Sequence, residues 1–235
     1  MSEPARVTGV LFDPAKTFED IGRRPTFILP LLLTMIMALV FVTLIGQRVG
    51  WDRVVRQQVE SRPSAAQLPP EQREAQIQMG AKVAPMFGYG FILVGLPIGY
   101  AIWAGILLGI TKGIMAAPLT FKQVFSAIWW ASIPGIIFSA LAIVVLYLKP
   151  PEDFNINNPL VFNPGAMMDP ATPSKFLYSL ATSLDLFFIW SLILIGLGLK
   201  GASGRKLSTG GAMAAVFVPW LVWIFAKASL AGIFS

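Results

Sequence analysis

Five apolar stretches, each long enough to cross a lipid bilayer, leave this chain little choice of fold. They cover roughly residues 27–46, 86–110, 124–148, 177–199 and 212–233. A helix needs about 20 residues, at ~1.5 Å each, to span the hydrocarbon layer. None of the stretches alternates polar and apolar residues as a barrel strand would. In lipid every backbone N–H and C=O must be satisfied within the protein, and a helix does so within one segment. The chain therefore reads as an all-α integral membrane protein, a five-transmembrane-helix bundle with a short N-terminal interfacial helix. Composition agrees, because 55% of the 235 residues are hydrophobic and only 13% are charged, too little charge for a soluble surface.

Cysteine and histidine are both absent. That excludes disulfides, thiolate nucleophiles, Cys/His zinc sites, haem-ligating imidazoles and Ser–His hydrolases. The chain has neither the G-x-x-x-x-G-K-[ST] phosphate loop nor a dinucleotide fingerprint. No cofactor, no metal and no catalytic residue is expected. The net charge of +6 belongs beside anionic headgroups, so the expected partner is the lipid bilayer and not nucleic acid.

Residues 1–26 read as a cytoplasmic amphipathic segment and 27–235 as a five-span membrane domain. The opening MSEPARVTGVLFDPAKTFEDIGRRP carries acids and a helix start ahead of the first apolar run, unlike a signal peptide, so the first span is expected to be an uncleaved anchor. Lys and Arg divide almost evenly between the two sides. The short loops and the GRRP flank favour an N-terminus in the cytoplasm and a C-terminus outside. Asp13 is placed to cap a helix that starts at Pro14, with Phe18 and Ile21 on one face near Val10 and Leu11. That face either lies in the membrane interface or packs on the protein itself.

The first long link, 47–85, spaces Val49, Trp51, Val54, Val55 and Val59 like a one-sided helix. It breaks over SRPSAAQLPP and resumes as a helix after Pro70. The second, 149–176, is rich in Pro and Asn and is expected to be irregular and exposed, with its apolar residues resting on the membrane. Two short links share the pattern K-G-x5-L-[ST], from Lys112 to Thr120 and from Lys200 to Ser208. The match reads either as two helix hairpins in parallel orientation or as chance similarity between basic turns.

Asp185 is the only acid inside an apolar stretch. A lone carboxylate at a helix centre costs about 2.5–3.5 kcal/mol on insertion scales. Protonation, a place near the outer interface or a partner would reduce that cost. Lys227, in the outer half of span five, forms a candidate intramembrane polar pair with it, or a seam shared with Ser179, Thr182 and Ser183. The alternative is that Lys227 snorkels to the headgroups while Asp185 meets water. Pro97, Pro134 and Pro219 fall inside spans and free the carbonyls of Leu93, Trp130 and Ala215. Gly95 with Gly99, and Gly105 with Gly109, give G-x-x-x-G spacing suited to close helix packing, inside a bundle or between protomers.

Taken together, GVLFDPAKTFEDIGRRPTFILPLLL, AIWWASIP and LDLFFIWSLILIGLGL resemble the Yip1 family, specifically its bacterial members. The resemblance implies five spans, a cytoplasmic N-terminus and a structural motif of Asp185, Phe187 and Trp190 in span four. It implies location in the bacterial cytoplasmic membrane. Eukaryotic relatives bind prenylated GTPases, a role that the short N-terminal stretch does not support here. The expected function is that of a non-enzymatic interaction or organising protein, partnered by another protein or by its own copies through the glycine-rich spans. A small permease or channel component using the proline-broken helices and Asp185 is the alternative.

Overall fold

The computed structural model describes residues 1–60, 68–168, 174–204 and 206–233. Residues 61–67 of the break expected over 61–70, and the cation Arg205, lie outside them. Every regular element among the described residues is helical. Four helical runs are long and apolar enough to cross a membrane: Ile28–Arg48, Pro70–Ile114, Phe121–Leu148 and Thr209–Ile233. The fifth is a bent pair, Lys175–Ser183 and Leu186–Ala202, that passes as one span with a 55° bend. An all-helical membrane protein of four to five spans is thus the observed architecture.

The helices are α1 (Glu3–Phe12), α2 (Pro14–Arg23), α3 (Ile28–Arg48), α4 (Trp51–Glu60), α5 (Pro70–Gly90) and α6 (Leu96–Leu108). They continue as α7 (Phe121–Ala131), α8 (Ile133–Leu148), α9 (Lys175–Ser183), α10 (Leu186–Ala202) and α11 (Thr209–Ile233). The chain falls into two compact units, one of residues 1–36, 94–137 and 186–223, the other of residues 37–93, 138–185 and 224–235.

Two of the prolines inside spans, Pro97 and Pro134, coincide with a local change in the helix. The π-helical turn Phe91–Gly95 directly precedes Pro97, widening the helix where the ring would otherwise strike the preceding turn. At Pro134 the helix divides into α7 and α8 around Ser132, whose hydroxyl donates to the Trp129 carbonyl at 2.7 Å. Thr34 and Ser132 hydroxyls also share a hydrogen bond of 2.9 Å. Pro219 stays inside α11 and Pro85 inside α5. Helix α5 is more than a helix within a loop, because it runs unbroken into the second span. Its polar first part, from Pro70 to about Ala84, adds roughly 22 Å of helix ahead of the apolar part.

In the first unit the N-terminal segment forms two helices where the sequence suggests one. Asp13 does stand ahead of Pro14, but its side chain makes no cap; its carbonyl accepts from the Thr17 hydroxyl at 2.8 Å. Val10, Phe18 and Ile21 are buried, and α2 packs on α10 and α7. So the apolar face is covered by the protein's own helices. The approach of α2 to α10 demands small residues. A Cβ on Gly22 would come within 2.6 Å of Ala202 Cα, and one on Gly201 within 2.9 Å of the Phe18 carbonyl oxygen. Both K-G turns end alike: Leu119 and Leu207 are buried, and the next hydroxyl caps a helix. Thr120 forms a capping box with Gln123, and Ser208 accepts from the Gly211 N–H at 3.0 Å.

In the second unit the two long links are folded together. Val54, Ile45, Val49, Leu146 and Phe154 form one core cluster. Gln57 Nε2 donates to the Phe154 carbonyl at 2.9 Å, and the Ile156 N–H donates back to Gln57 Oε1 at 3.3 Å. The second link is irregular, as expected; Phe154 and Leu160 are buried in protein, whereas Val161, Phe162 and Met167 are exposed. Asn side chains shape it: Asn155 Oδ1 accepts from the N–H groups of Asn157 and Asn158, and Asn163 Oδ1 accepts from Ala166 N–H. Gly165 meets the backbone of Thr182 so closely that a Cβ there would lie 2.9 Å from its nitrogen. Arg56 and Glu74 pair at 3.1 Å between α4 and α5, with Val55, Val59 and Ile77 buried beside them.

Replacing Gly201 by Leu should separate α2 from α10, because the added side chain meets backbone that cannot give way. We expect a loss of about 1–3 kcal/mol, read as a lower Tm in detergent, with Gly113→Leu, whose Cβ meets open space, as the silent control.

Candidate functional site

Two places carry polar chemistry. The first is in the first unit, where α1 and α2 dock. Arg6 lies on the face of α1 that carries Val10, one turn away, and is only 2% exposed. Its guanidinium is fully engaged. Nε donates to Asp20 Oδ2 at 2.8 Å, Nη2 approaches the same oxygen at 2.7 Å, and Nη1 donates to the Thr26 hydroxyl at 2.8 Å and the Arg24 carbonyl at 3.2 Å. Arg6 also sits 6.0 Å from the centre of the buried Trp130 ring, whose Nε1–H donates to the Thr26 carbonyl at 2.7 Å. Gln123 Nε2 donates to the Gly22 carbonyl at 2.9 Å. Two side chains of α7 thus hold the end of α2 and the entry to α3.

Burial alone would raise the Asp20 carboxyl, but hydrogen bonds and charge from the Met1 ammonium and from Arg6 outweigh it and hold the carboxyl below its ordinary value of 3.8. An open cleft beside this cluster is lined by Glu19, Gly22, Arg23, Gln123, Gly201, Ala202 and Gly204. Sequence reasoning missed Arg6, Asp20, Thr26, Gln123 and the role of Trp130. The available signal was Arg6 itself, four residues ahead of an apolar position and on the same helical face.

The second place is the break in the fourth span. Asp185 immediately precedes the first residue of α10, with Leu184 between it and the end of α9. A carboxylate at the position before a helix suits the positive end of the helix dipole and its unpaired N–H groups. The acid therefore stands at a helix start and not at the middle of a continuous helix. Lys227 Nζ lies 3.2 Å from the Ser183 hydroxyl, which itself donates to the Ser179 carbonyl at 2.7 Å. Thr182 bonds back to Tyr178 and Ser179. Of the seam expected around Lys227, the structure thus brings Ser183 to the ammonium. Phe187 and Trp190, one turn apart on α10, have ring centres 6.4 Å apart.

Among the glycines singled out for packing, a Cβ at Gly99, Gly105 or Gly109 would meet nothing within 4 Å. Close approaches inside the chain occur at other glycines, among them Gly22, Gly165, Gly198 and Gly201. Among the described residues, no three His, Cys, Asp or Glu side chains gather as a metal site would require.

Spans, buried docking helices and a broken helix with one acid define a multi-pass, all-helical membrane protein. The chain belongs to the Yip1 domain family, which matches residues 8–230, nearly its whole length. No curated protein and no solved structure matches it.

Asp20→Ala leaves the buried Arg6 charge without its carboxylate, and we expect a loss of about 3 kcal/mol. Because the folded carboxyl titrates below 3.8, the pair's contribution is present above that pH and disappears as pH falls through the lower folded value. Thermal unfolding in detergent against pH should show that acid-side decline in the native chain and not in Asp20→Ala.

Proposed function

We propose that this Yip1 domain protein acts without catalysis, as an interaction or organising protein of the bacterial cytoplasmic membrane, its N-terminus in the cytoplasm and its C-terminus outside. The observation that supports it best is the docking of α1 and α2. The Arg6–Asp20 pair, Thr26, Trp130 and Gln123 hold these helices in one preformed arrangement. A face built in advance suits recognition, since binding then costs little ordering. The two K-G turns, each closed by a buried leucine and a capping hydroxyl, extend that face.

A second copy of the chain is the partner we favour within the membrane. The open side of Gly99, Gly105 and Gly109 supports this, because small residues let helices approach closely. We further propose that Asp185 and Lys227 share one polar seam with Ser183.

The broken fourth span supports a second reading, a small permease or channel component. Interrupted helices recur in transporter sites, and here the interruption carries an acid. Purified protein in liposomes separates the two: uptake of a solute that vanishes in Asp185→Asn would establish transport and displace the first reading.

Three outcomes are expected. Cross-linking in native membranes should trap a second copy, and trapping should fall sharply in Gly105→Leu. A cysteine placed at Lys16 should react from the cytoplasmic side and one at Glu152 from the outside; labelling of both from one side overturns the topology. Exchanging Asp185 and Lys227 together should recover stability that each single exchange loses, by 0.5 kcal/mol or more if they couple, an order-of-magnitude threshold of about that size.

A further inference from the structure

Two adjacent tryptophans of α7 are equally buried and differ in one bond. Trp129 and Trp130 are both 0% exposed. The Trp130 Nε1–H donates to the Thr26 carbonyl at 2.7 Å, whereas Trp129 Nε1 has no hydrogen-bond partner among the described residues. An indole N–H left unpaired inside protein has given up water for nothing in return. Buried donors in that position are commonly met by an ordered water. Ser126, one turn earlier on α7, is also buried with an unpaired hydroxyl. A serine hydroxyl can rotate onto the carbonyl four residues back. A packed indole has no such option.

The surroundings of Trp129 supply what a water needs. Its ring packs on that of Tyr100 in α6, with centres 4.6 Å apart, and the Tyr100 hydroxyl interacts with Ser132. Ser132 Oγ donates to the Trp129 carbonyl at 2.7 Å. A serine has one hydroxyl proton, so in the 2.9 Å bond between Thr34 and Ser132 it is Thr34 that donates. The same reasoning makes Tyr100 a donor to Ser132. Both donors spend their protons there, and their oxygens keep lone pairs to offer. In the same turn Pro134 has no N–H for the Trp130 carbonyl. The place therefore has one surplus donor and several surplus acceptors. A cation would be repelled by the indole N–H, and an anion would meet only that single donor. Water, which accepts and donates at once, matches the set. The other acceptor within reach of the indole is the face of the Tyr100 ring, a weaker contact than a bond to oxygen.

We propose that the first unit holds a structural water where α7 gives way to α8. It accepts from Trp129 Nε1–H and donates to the Tyr100 and Thr34 hydroxyl oxygens. Thr34, Tyr100, Trp129 and Ser132 all belong to that unit. The water joins α3, α6 and α7 at the point where Pro134 interrupts the third span. Inserted water is an established way of satisfying a span that a proline has opened.

Radiolytic hydroxyl labelling reads the site directly, because radicals formed from a bound water modify the side chain beside it even where bulk solvent does not reach. The full chain in lipid nanodiscs is irradiated briefly, and modification at each tryptophan is followed by tandem mass spectrometry. Trp129 should be modified several-fold faster than Trp130, although both are fully covered. Equal rates would overturn the water and leave the Tyr100 ring as the indole's partner. Tyr100→Phe keeps the ring and removes one acceptor, so the Trp129 rate should fall towards that of Trp130. Thr34→Val removes the other acceptor and should lower the Trp129 rate independently. A Trp129 rate unchanged in both variants, with Trp130 also unchanged, would overturn the bridge to these hydroxyls.

Discussion

A backbone amide in hydrocarbon has no water to fall back on, and most of the structure follows from that constraint. Each span is helical because a helix satisfies its backbone internally. Several departures from regularity come with a local compensation. A π-helical turn absorbs Pro97, the Ser132 hydroxyl bridges the division ahead of Pro134, and the fourth span divides just before α10, where Asp185 stands. A polar residue that looks misplaced in an apolar stretch can sit where the helix is interrupted. Asp185 is the clearest instance, since a helix start offers a carboxylate unpaired donors and a favourable dipole that a helix middle lacks.

The same economy governs how the N-terminal helices attach. Arg6 is buried because its guanidinium finds a carboxylate, a hydroxyl and a carbonyl at once. Removing the carboxylate alone would leave a charge inside protein, which is why the pair is costly to break although it gains little over an apolar substitute. Small residues then allow the close approach: Gly22 lies on Ala202, and Gly201 on the backbone of Phe18. Charge fixes the position of the hairpin, and the absence of side chains permits its depth. In the second unit Gln57 plays a comparable part, using both ends of one amide to hold the backbone at Phe154 and Ile156.

Membership of the Yip1 domain family accords with this architecture and covers nearly the whole chain. What distinguishes the molecule as a candidate for recognition is that its N-terminal helices arrive already ordered. A segment that looks from its sequence like a short, separate amphipathic helix is instead continuous with the helix packing of the spans, and the two long links are likewise folded together.

Apolar runs of sufficient length, almost free of charge, determined by themselves that this chain is a helical membrane protein, because lipid admits no other solution for such segments. The same local logic made legible the helix start at Pro14, the resumption after Pro70 and the paired K-G turns, each set by residues within a few positions of one another. Only the tertiary structure decided which glycines pack closely inside the chain. Gly99, Gly105 and Gly109 have G-x-x-x-G or equivalent spacing yet face open space, while Gly22 and Gly201, 179 residues apart by their numbers, permit one close crossing. It also decided that Arg6 would be buried, that Gln57 would hold a distant loop and that Phe154 would lie in protein. A partner brought from far along the chain leaves no periodic mark on the sequence around either residue, so contacts of this kind could be seen only once the helices were in place.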